Sequence, residues 1–319
     1  MRVLLTGSSG WLGRYLAPML TARGHRVIGL DMVPGDHTQI VGSVAERSVV
    51  DRAFADHGIE AVIHAAALHK PDIVRYSRQA FVDVNVTGTL TLLECAVVAG
   101  HRRFVFTSTT SLMIGHAIRD ERSDRALWLD EASGPIEPRN IYGVTKFAAE
   151  QTCRLIAEEH GLSVIALRTG RFFPEEDDTH RAPSGENMKA NELLHRRLTV
   201  EDAAAAHVAA LEHEGFDRYR MYLASAPTPF ARDDAAELRR DAQVLIARYF
   251  PNAAALYATR GWTLPSSIGR VYDSSALCRD LGFSFATDFA SMLAALERGE
   301  RPPFAHDPDY ASPAVGLFN

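Results

Sequence analysis

Short apolar runs and amphipathic stretches alternate along the first 170 residues. Val3-Leu4-Leu5 is an apolar run that ends in a Gly/Ser turn, and Trp11 to Arg23 then has the spacing of a helix. Gly24-His25 breaks it before a second strand, Arg26 to Asp31. A helix around Val49 to Asp56 leads to the apolar run Ala61 to Ala66. The pattern next predicts a long helix from about Gln79 to Ala99 and a strand over Arg103 to Ser108. After a polar stretch, Arg119 to Pro138, come a helix from Tyr142 to His160 and a strand from Ser163 to Leu167. Pro18, inside the first helix, is expected to kink or delay it. Short apolar strands separated by helices need crossover connections. The predicted fold class is therefore α/β, a doubly wound parallel sheet buried on both faces.

After Arg168 the rhythm loosens. Arg171 to Arg197 is polar and poorly periodic. Val200 to His213 reads as an Ala-rich helix, Arg220 to Ala224 as a strand, and Asp233 to Tyr249 and Ser291 to Glu297 as helices. The Pro-rich tail from Arg301 is expected to be mobile. The boundary is placed near residue 170. Residues 1–170 are expected to form the doubly wound domain, and 171–319 mainly a smaller second region, with about 198–225 returning to the main sheet.

Composition narrows the partners. The 319 residues are 46% apolar and 23% charged, which suits a globular chain. A net charge of −6 supplies no basic footprint, so no nucleic-acid partner is expected. Cys95, Cys153 and Cys278 are far apart, so neither a disulfide framework nor a cysteine zinc site is indicated, and no metal is expected. No signal-peptide pattern or membrane-spanning run is read, so the expected location is the cytoplasm. Among 34 basic residues only Lys70, Lys146 and Lys189 are lysines. A motif that needs a lysine therefore carries weight here.

The first strand ends in Gly7-Ser8-Ser9-Gly10-Trp11-Leu12-Gly13, a GxxGxxG spacing at a strand-to-helix junction. Glycines there allow a tight turn and let backbone approach a pyrophosphate, which the helix N-terminus then meets with free N–H groups. The second strand ends in Asp31. A carboxylate at that place accepts from the adenosine ribose hydroxyls and repels a 2′-phosphate, which favours NAD over NADP.

Tyr142 and Lys146 stand at i, i+4, one turn apart on one helix face. A phenol with a pKa of about 10 is a weak base at neutral pH. A neighbouring ammonium, with a cationic nicotinamide, stabilises the phenolate. A third partner is sought in the hydroxyl cluster Thr107 to Ser111, at the end of the strand that abuts the cofactor edge.

These residues resemble the extended short-chain dehydrogenases/reductases, also called the NAD-dependent epimerase/dehydratase family, whose cofactor domain has the Rossmann arrangement. The resemblance rests on Gly7 to Gly13, Asp31, His64-Ala65-Ala66-Ala67, Asn85 in Asn85-Val86-Thr87-Gly88-Thr89, Thr107 to Ser111 and Tyr142/Lys146, with a looser match over Arg270 to Phe283. It implies Tyr142 as general base or acid, Lys146 as its electrostatic partner and Thr109 as the hydroxyl partner. The stretch from Thr109 to Gly115 is one residue longer than usual, so Thr110 and Ser111 stay open as alternatives. The cofactor set implied is Gly7, Gly10, Trp11, Leu12, Gly13, Asp31, Ser43, Val44, His64, Ala65, Ala66, Asn85, Tyr142 and Lys146. Ser43 stands where many relatives carry an Asp toward the adenine. The helices at Gln79 to Ala99 and Tyr142 to His160 resemble those of the family's four-helix interface, which implies a homodimer.

Only about 30 residues separate Arg168 from the helix at Val200, short for a segment that grips a sugar nucleotide. Leu167 to Pro174 looks more like the uronate dehydrogenase branch. The expected substrate is a small sugar or sugar acid, with His69, Thr110, Ser111 and Arg171 as its contacts and Arg196 or Arg197 as further anion partners. The acidic run Glu175 to Asp178 reads as a solvated loop. Two other readings are carried: a nucleotide-sugar epimerase/dehydratase with transient NAD reduction, and a non-catalytic NAD-binding scaffold.

Overall fold

A computed structural model describes the chain except for residues 102, 121, 177–184, 216–217 and 314–319. Seven parallel strands form the main sheet: β1 (Arg2–Thr6), β2 (Arg26–Asp31), β3 (Ile40–Val41), β4 (Ala61–His64), β5 (Arg103–Thr109), β7 (Ser163–Thr169) and β8 (Tyr219–Ala224). Their spatial order is β3-β2-β1-β4-β5-β7-β8. Two further strands, β6 (Leu127–Leu129) and β9 (Arg270–Tyr272), pair by themselves. From β1 the chain builds outward first to β2 and β3, then across to β4 and beyond. That reversal leaves a crevice above the carboxyl ends of β1 and β4, where ligands of doubly wound sheets sit.

Helices cover both faces: α1 (Trp11–Ala22), α2 (Arg47–His57), α3 (Arg78–Val98), α4 (Ile141–His160), α5 (Gly185–Glu192) and α6 (Val200–Glu212). On one face α1 packs against α6, with Leu16 and Leu20 fully buried. On the other, α3 and α4 close over Phe104 and Phe106 of β5.

Several expectations change. α1 runs straight through Pro18 to Ala22, because the ring lies on the exposed face and removes a single helical N–H. α5 occupies part of the stretch that lacks periodicity; its side chains are buried nearly all round, which erases any apolar stripe. The single helix expected over Asp233 to Tyr249 is broken at Asp241, whose carboxylate caps a new helix by accepting from Val244 N (3.2 Å). The strand expected to reach Ala66 stops at His64, which frees Ala65 and Ala66 to line the crevice. The tail expected to be mobile is packed as far as residue 313, with Pro302 buried. α3 is long and apolar enough to cross a membrane by length and composition, although no such run is read from the sequence; in the fold it lies against the sheet with 56% of its most apolar window buried.

Candidate active site

The turn after β1 is shaped by close approaches. Gly7 has φ +75°, and a Cβ there would lie 2.8 Å from the Ala66 nitrogen. A Cβ on Gly13 would meet the Gly7 carbonyl oxygen at 2.1 Å, so this glycine lets α1 sit down on β1. Gly10 differs: only the Gly7 oxygen lies near its missing Cβ, at 3.2 Å, and Gly10 faces the crevice. A side chain there would fill the space that a pyrophosphate occupies in front of the α1 N-terminus. At the end of β2, Asp31 accepts from Ser9 N and Val33 N, both at 3.0 Å. Burial pushes its carboxyl up, against the pull of those backbone N–H groups. The donor set and the cradle fit an adenine dinucleotide.

The crevice is one cavity of about 650 Å³. Gly7, Gly10, Trp11, Leu12 and Asp31 line its cofactor end, with Ser43, Val44, Ala65 and Ala66 beside them. Thr109, Thr110, Ser111, Tyr142 and Lys146 line its middle. His69 and Arg171 lie in the wall beyond. Gly13, His64 and Asn85 lie behind the wall. His64 is buried between the hydroxyls of Thr6 (2.7 Å) and Thr89 (3.0 Å), and burial holds its pKa well below the ordinary value. It is a neutral strut between strand and helix. Asn85 sits in a π-turn of α3 (Asp83–Thr87). Its side chain accepts from Leu68 N (2.8 Å) and donates to Leu68 O (2.9 Å) and to the Thr145 hydroxyl (3.1 Å). It clamps the loop that carries Ala65 to His69 onto α4. Such one-residue expansions of a helix recur at functional sites.

Asn140 starts α4 by accepting from Gly143 N (2.9 Å), and Gly161 ends it in the left-handed conformation. Tyr142, Lys146 and Glu150 then recur every four residues on one face. Burial pushes the Tyr142 phenol up to about 12, while a hydrogen bond with Thr109 pulls it down. The expected easing by Lys146 is not among the influences on that phenol; burial lowers the lysine's own pKa to about 8, and its Nζ lies 4.0 Å from the centre of the Phe106 ring. Thr109 also accepts from Ser111 N (3.1 Å), whereas the Thr110 hydroxyl donates to Thr169 O (3.2 Å).

One turn below, Glu150 is buried and accepts from Ser108 Oγ (2.5 Å), Arg168 Nε (2.9 Å) and Arg168 Nη2 (2.7 Å). This pair ties α4 to β5 and β7 directly beneath Thr109 and Thr169. Nothing in the sequence pattern singles it out, beyond a charged residue inside each of two apolar elements.

At the far end of the cavity lies Arg196, named from the sequence as an anion partner. Sequence reasoning missed its neighbours in that wall, Arg119, Arg139, Arg270 and Tyr272, with Glu192 and, as a wall residue, Glu175. Arg139 is depressed by burial and then by Arg119 and Arg270; Arg196 is depressed by burial and, in part, by Arg270. The guanidinium groups are thus close enough to repel one another. Arg196 pairs with Glu192 (2.9 Å), and Arg197 does so from within the core (2.8 Å), so Arg197 is structural and not a cavity residue. Glu192 followed by arginines four and five residues later was the available signal. The expected solvated run at Glu175 is corrected in part: Glu175 is mostly buried in the cavity wall, and burial raises its carboxyl. Asp177 and Asp178 lie outside the described residues. Among the described residues no group of three or more His, Cys, Asp or Glu is arranged to hold a metal.

A doubly wound sheet with a glycine turn at its switch point and a Tyr/Lys pair across the cavity defines a dinucleotide-binding protein of the short-chain dehydrogenase/reductase type. The chain belongs to the NAD dependent epimerase/dehydratase family, whose sequence model matches residues 3–223. Its cofactor is therefore NAD. It is 31% identical over 173 residues to a UDP-glucose 4-epimerase of Rhizobium meliloti (strain 1021), covering 52% of this chain. The match spans only 50% of that epimerase's length. It is 32% identical over 197 residues to an L-arabinose 1-dehydrogenase (NAD(P)(+)) of Haloferax volcanii, covering 59% of this chain and 73% of that one. A crystal structure of a short-chain dehydrogenase/reductase superfamily protein from Agrobacterium tumefaciens with bound NAD superposes with a TM-score of 0.65 at 21% identity, covering 94% of this chain and 98% of that chain.

Proposed function

We propose that the chain is an NAD-dependent dehydrogenase that takes a hydride from a secondary alcohol or hemiacetal carbon of a small, anionic sugar-like substrate. The observation that carries this reading is that Arg139, Arg196 and Arg270 line the same cavity as Thr109 and Tyr142, with Arg270 near enough to depress both other guanidinium groups. Crowded guanidinium groups favour a carboxylate or phosphate, which they bind bidentately. A single cavity of about 650 Å³ has to take both the cofactor and the substrate, which supports a sugar acid over a substrate with a nucleotide of its own.

NAD, when bound, accepts the hydride. The chain's own residues do the rest. The backbone N–H groups of Trp11 and Leu12 would hold the pyrophosphate, and Asp31 would accept from the adenosine ribose hydroxyls. Thr109 holds the substrate oxygen through its hydroxyl and hydrogen-bonds Tyr142. Tyr142 acts as the phenolate, its own proton having gone to solvent, and takes the alcohol proton at that oxygen to become the neutral phenol. A buried ammonium at Lys146 favours that phenolate. Residues 1–170 serve the cofactor, and 171–319 mainly shape the substrate end.

The epimerase relative supports a second outcome of the same site, return of the hydride to the opposite face of the sugar. A panel of aldoses, uronates and sugar nucleotides incubated with NAD separates the two. The proposal expects NADH in step with oxidation of a free sugar acid. Interconversion of a sugar nucleotide without NADH would favour the epimerase.

We also propose a homodimer built on α3 and α4. Both helices leave large apolar side chains in solvent, Val98 (86% exposed) on α3 and Val144 and Leu155 on α4.

A further inference from the structure

Residues 302–313 run back over the molecule. Phe304 packs on the core that holds α1 and α6. His306 Nδ1 meets Lys189 Nζ (2.7 Å), and its other ring nitrogen faces Glu176 (3.7 Å). Lys189 is fully buried and also donates to Pro174 O. Asp307 N donates to the same carbonyl (3.0 Å), and its backbone then accepts from Tyr310 N (3.2 Å) in a turn. Tyr310 crosses to the first turn of α1, with its ring edge-on to Trp11 (5.1 Å between centroids) and the Arg14 guanidinium 5.8 Å over it. Ser312 Oγ reaches His69 Nε2 (3.1 Å), and Ser312 and Pro313 line the cavity.

Three separate walls are joined in this way: the loop after β7 at Pro174, the helix turn that faces the pyrophosphate, and the loop after β4 at His69. We propose that residues 302–313 are a strap that closes over the bound dinucleotide, with Tyr310 and Ser312 as its latch. This rests on the reading of the glycine turn as the cofactor site. The strap's anchoring is uneven. Its start is fixed in the core by Pro302 and Phe304. Its far half is held through Tyr310, which lies against Trp11 and Arg14 and hydrogen-bonds Ser312, and through the Ser312–His69 bond, while Asp307, Asp309, Ala311 and Pro313 are exposed. A segment held by a few contacts at the surface opens at lower cost than one packed in the core. The far half therefore lifts while the near half stays anchored, and the dinucleotide enters and leaves through that movement.

The test is the release rate of NADH, followed by its fluorescence after rapid mixing with excess NAD. No sugar is needed. The full chain is compared with Tyr310→Ala and with a chain ending at Glu300. Release about tenfold faster in Tyr310→Ala is expected, equivalent to about 1.4 kcal/mol, the size of an aromatic pair with a cation beside it. The shortened chain is expected to release at least as fast. Should it fail to fold, Tyr310→Ala carries the test, since its ring lies at the surface of α1. Equal release rates in the full chain and Tyr310→Ala would overturn the strap and leave the cofactor site standing. Failure of the full chain to bind NADH would overturn both.

Discussion

Glu150 shows how one side chain can organise a site that it does not touch. Its carboxylate is buried against Arg168 and Ser108, so helix and strands cannot shift without breaking a charged contact. Removing one partner of a buried ion pair leaves the other uncompensated and costs about 3–5 kcal/mol. Glu150→Ala is expected to lower stability by that amount in a urea titration, and Glu150→Gln by less. A loss within 0.5 kcal/mol for both would show that the pair does not fix α4. Tyr142 and Lys146 were legible from their spacing because one turn of helix brings i and i+4 together whatever surrounds them. Glu150 continues the same stripe but was not singled out, since its partners Ser108 and Arg168 come from the adjacent strands β5 and β7 and no helical spacing relates them to it. His64 and Asn85 were legible as family positions. Their geometry was not: each makes bonds to residues far away in sequence, which place it behind the cavity wall.

Elements were legible where they repeat a period, and hidden where burial is uniform or the chain turns on a single polar residue. Six of the seven strands of the main sheet follow the apolar runs to within a few residues because both faces are covered, whereas the two-residue edge strand β3 was not read from the sequence. α5 was hidden for the opposite reason, since Asn187, Lys189 and Glu192 are buried polar side chains on a helix without an apolar stripe. Glu192 at its end has a testable electrostatic signature. Burial acts to raise its pKa, but Arg196, Arg197 and Arg171 outweigh it and lower the carboxyl to about 2. A depressed folded pKa stabilises the fold above the ordinary value of 4.5 and loses that contribution as pH falls toward 2. Urea midpoints measured from pH 5 to pH 2 should therefore fall more steeply for the native chain than for Glu192→Gln. Parallel curves would contradict the assignment. Of these arginines, Arg171 and Arg196 also line the cavity, so this element links the core to the substrate end.

At the scale of the molecule, the sheet order places the cofactor turn, the hydroxyl strand end and the Tyr/Lys helix around one crevice. Residues distant in sequence, Arg119 and Arg139, Arg171 and Arg196, and Arg270 and Tyr272, then supply its far wall. No local pattern announces that convergence, so the substrate end was the least legible part of the site. The exposed apolar side chains of α3 and α4 belong to this scale as well. A two-chain mass in light scattering is expected, with Leu155→Glu shifting it toward one chain. A one-chain mass for the native protein at micromolar concentration would contradict the dimer.

The central claim is that Tyr142, held by Thr109, moves the proton that accompanies hydride transfer. Its most direct measurement is the turnover of Tyr142→Phe on the best sugar acid of the panel, with NAD affinity measured alongside. The phenol oxygen is the only group removed. A fall in kcat of about 10²–10⁴-fold with NAD affinity little changed is the expected result. Turnover within threefold of the native chain would contradict the account.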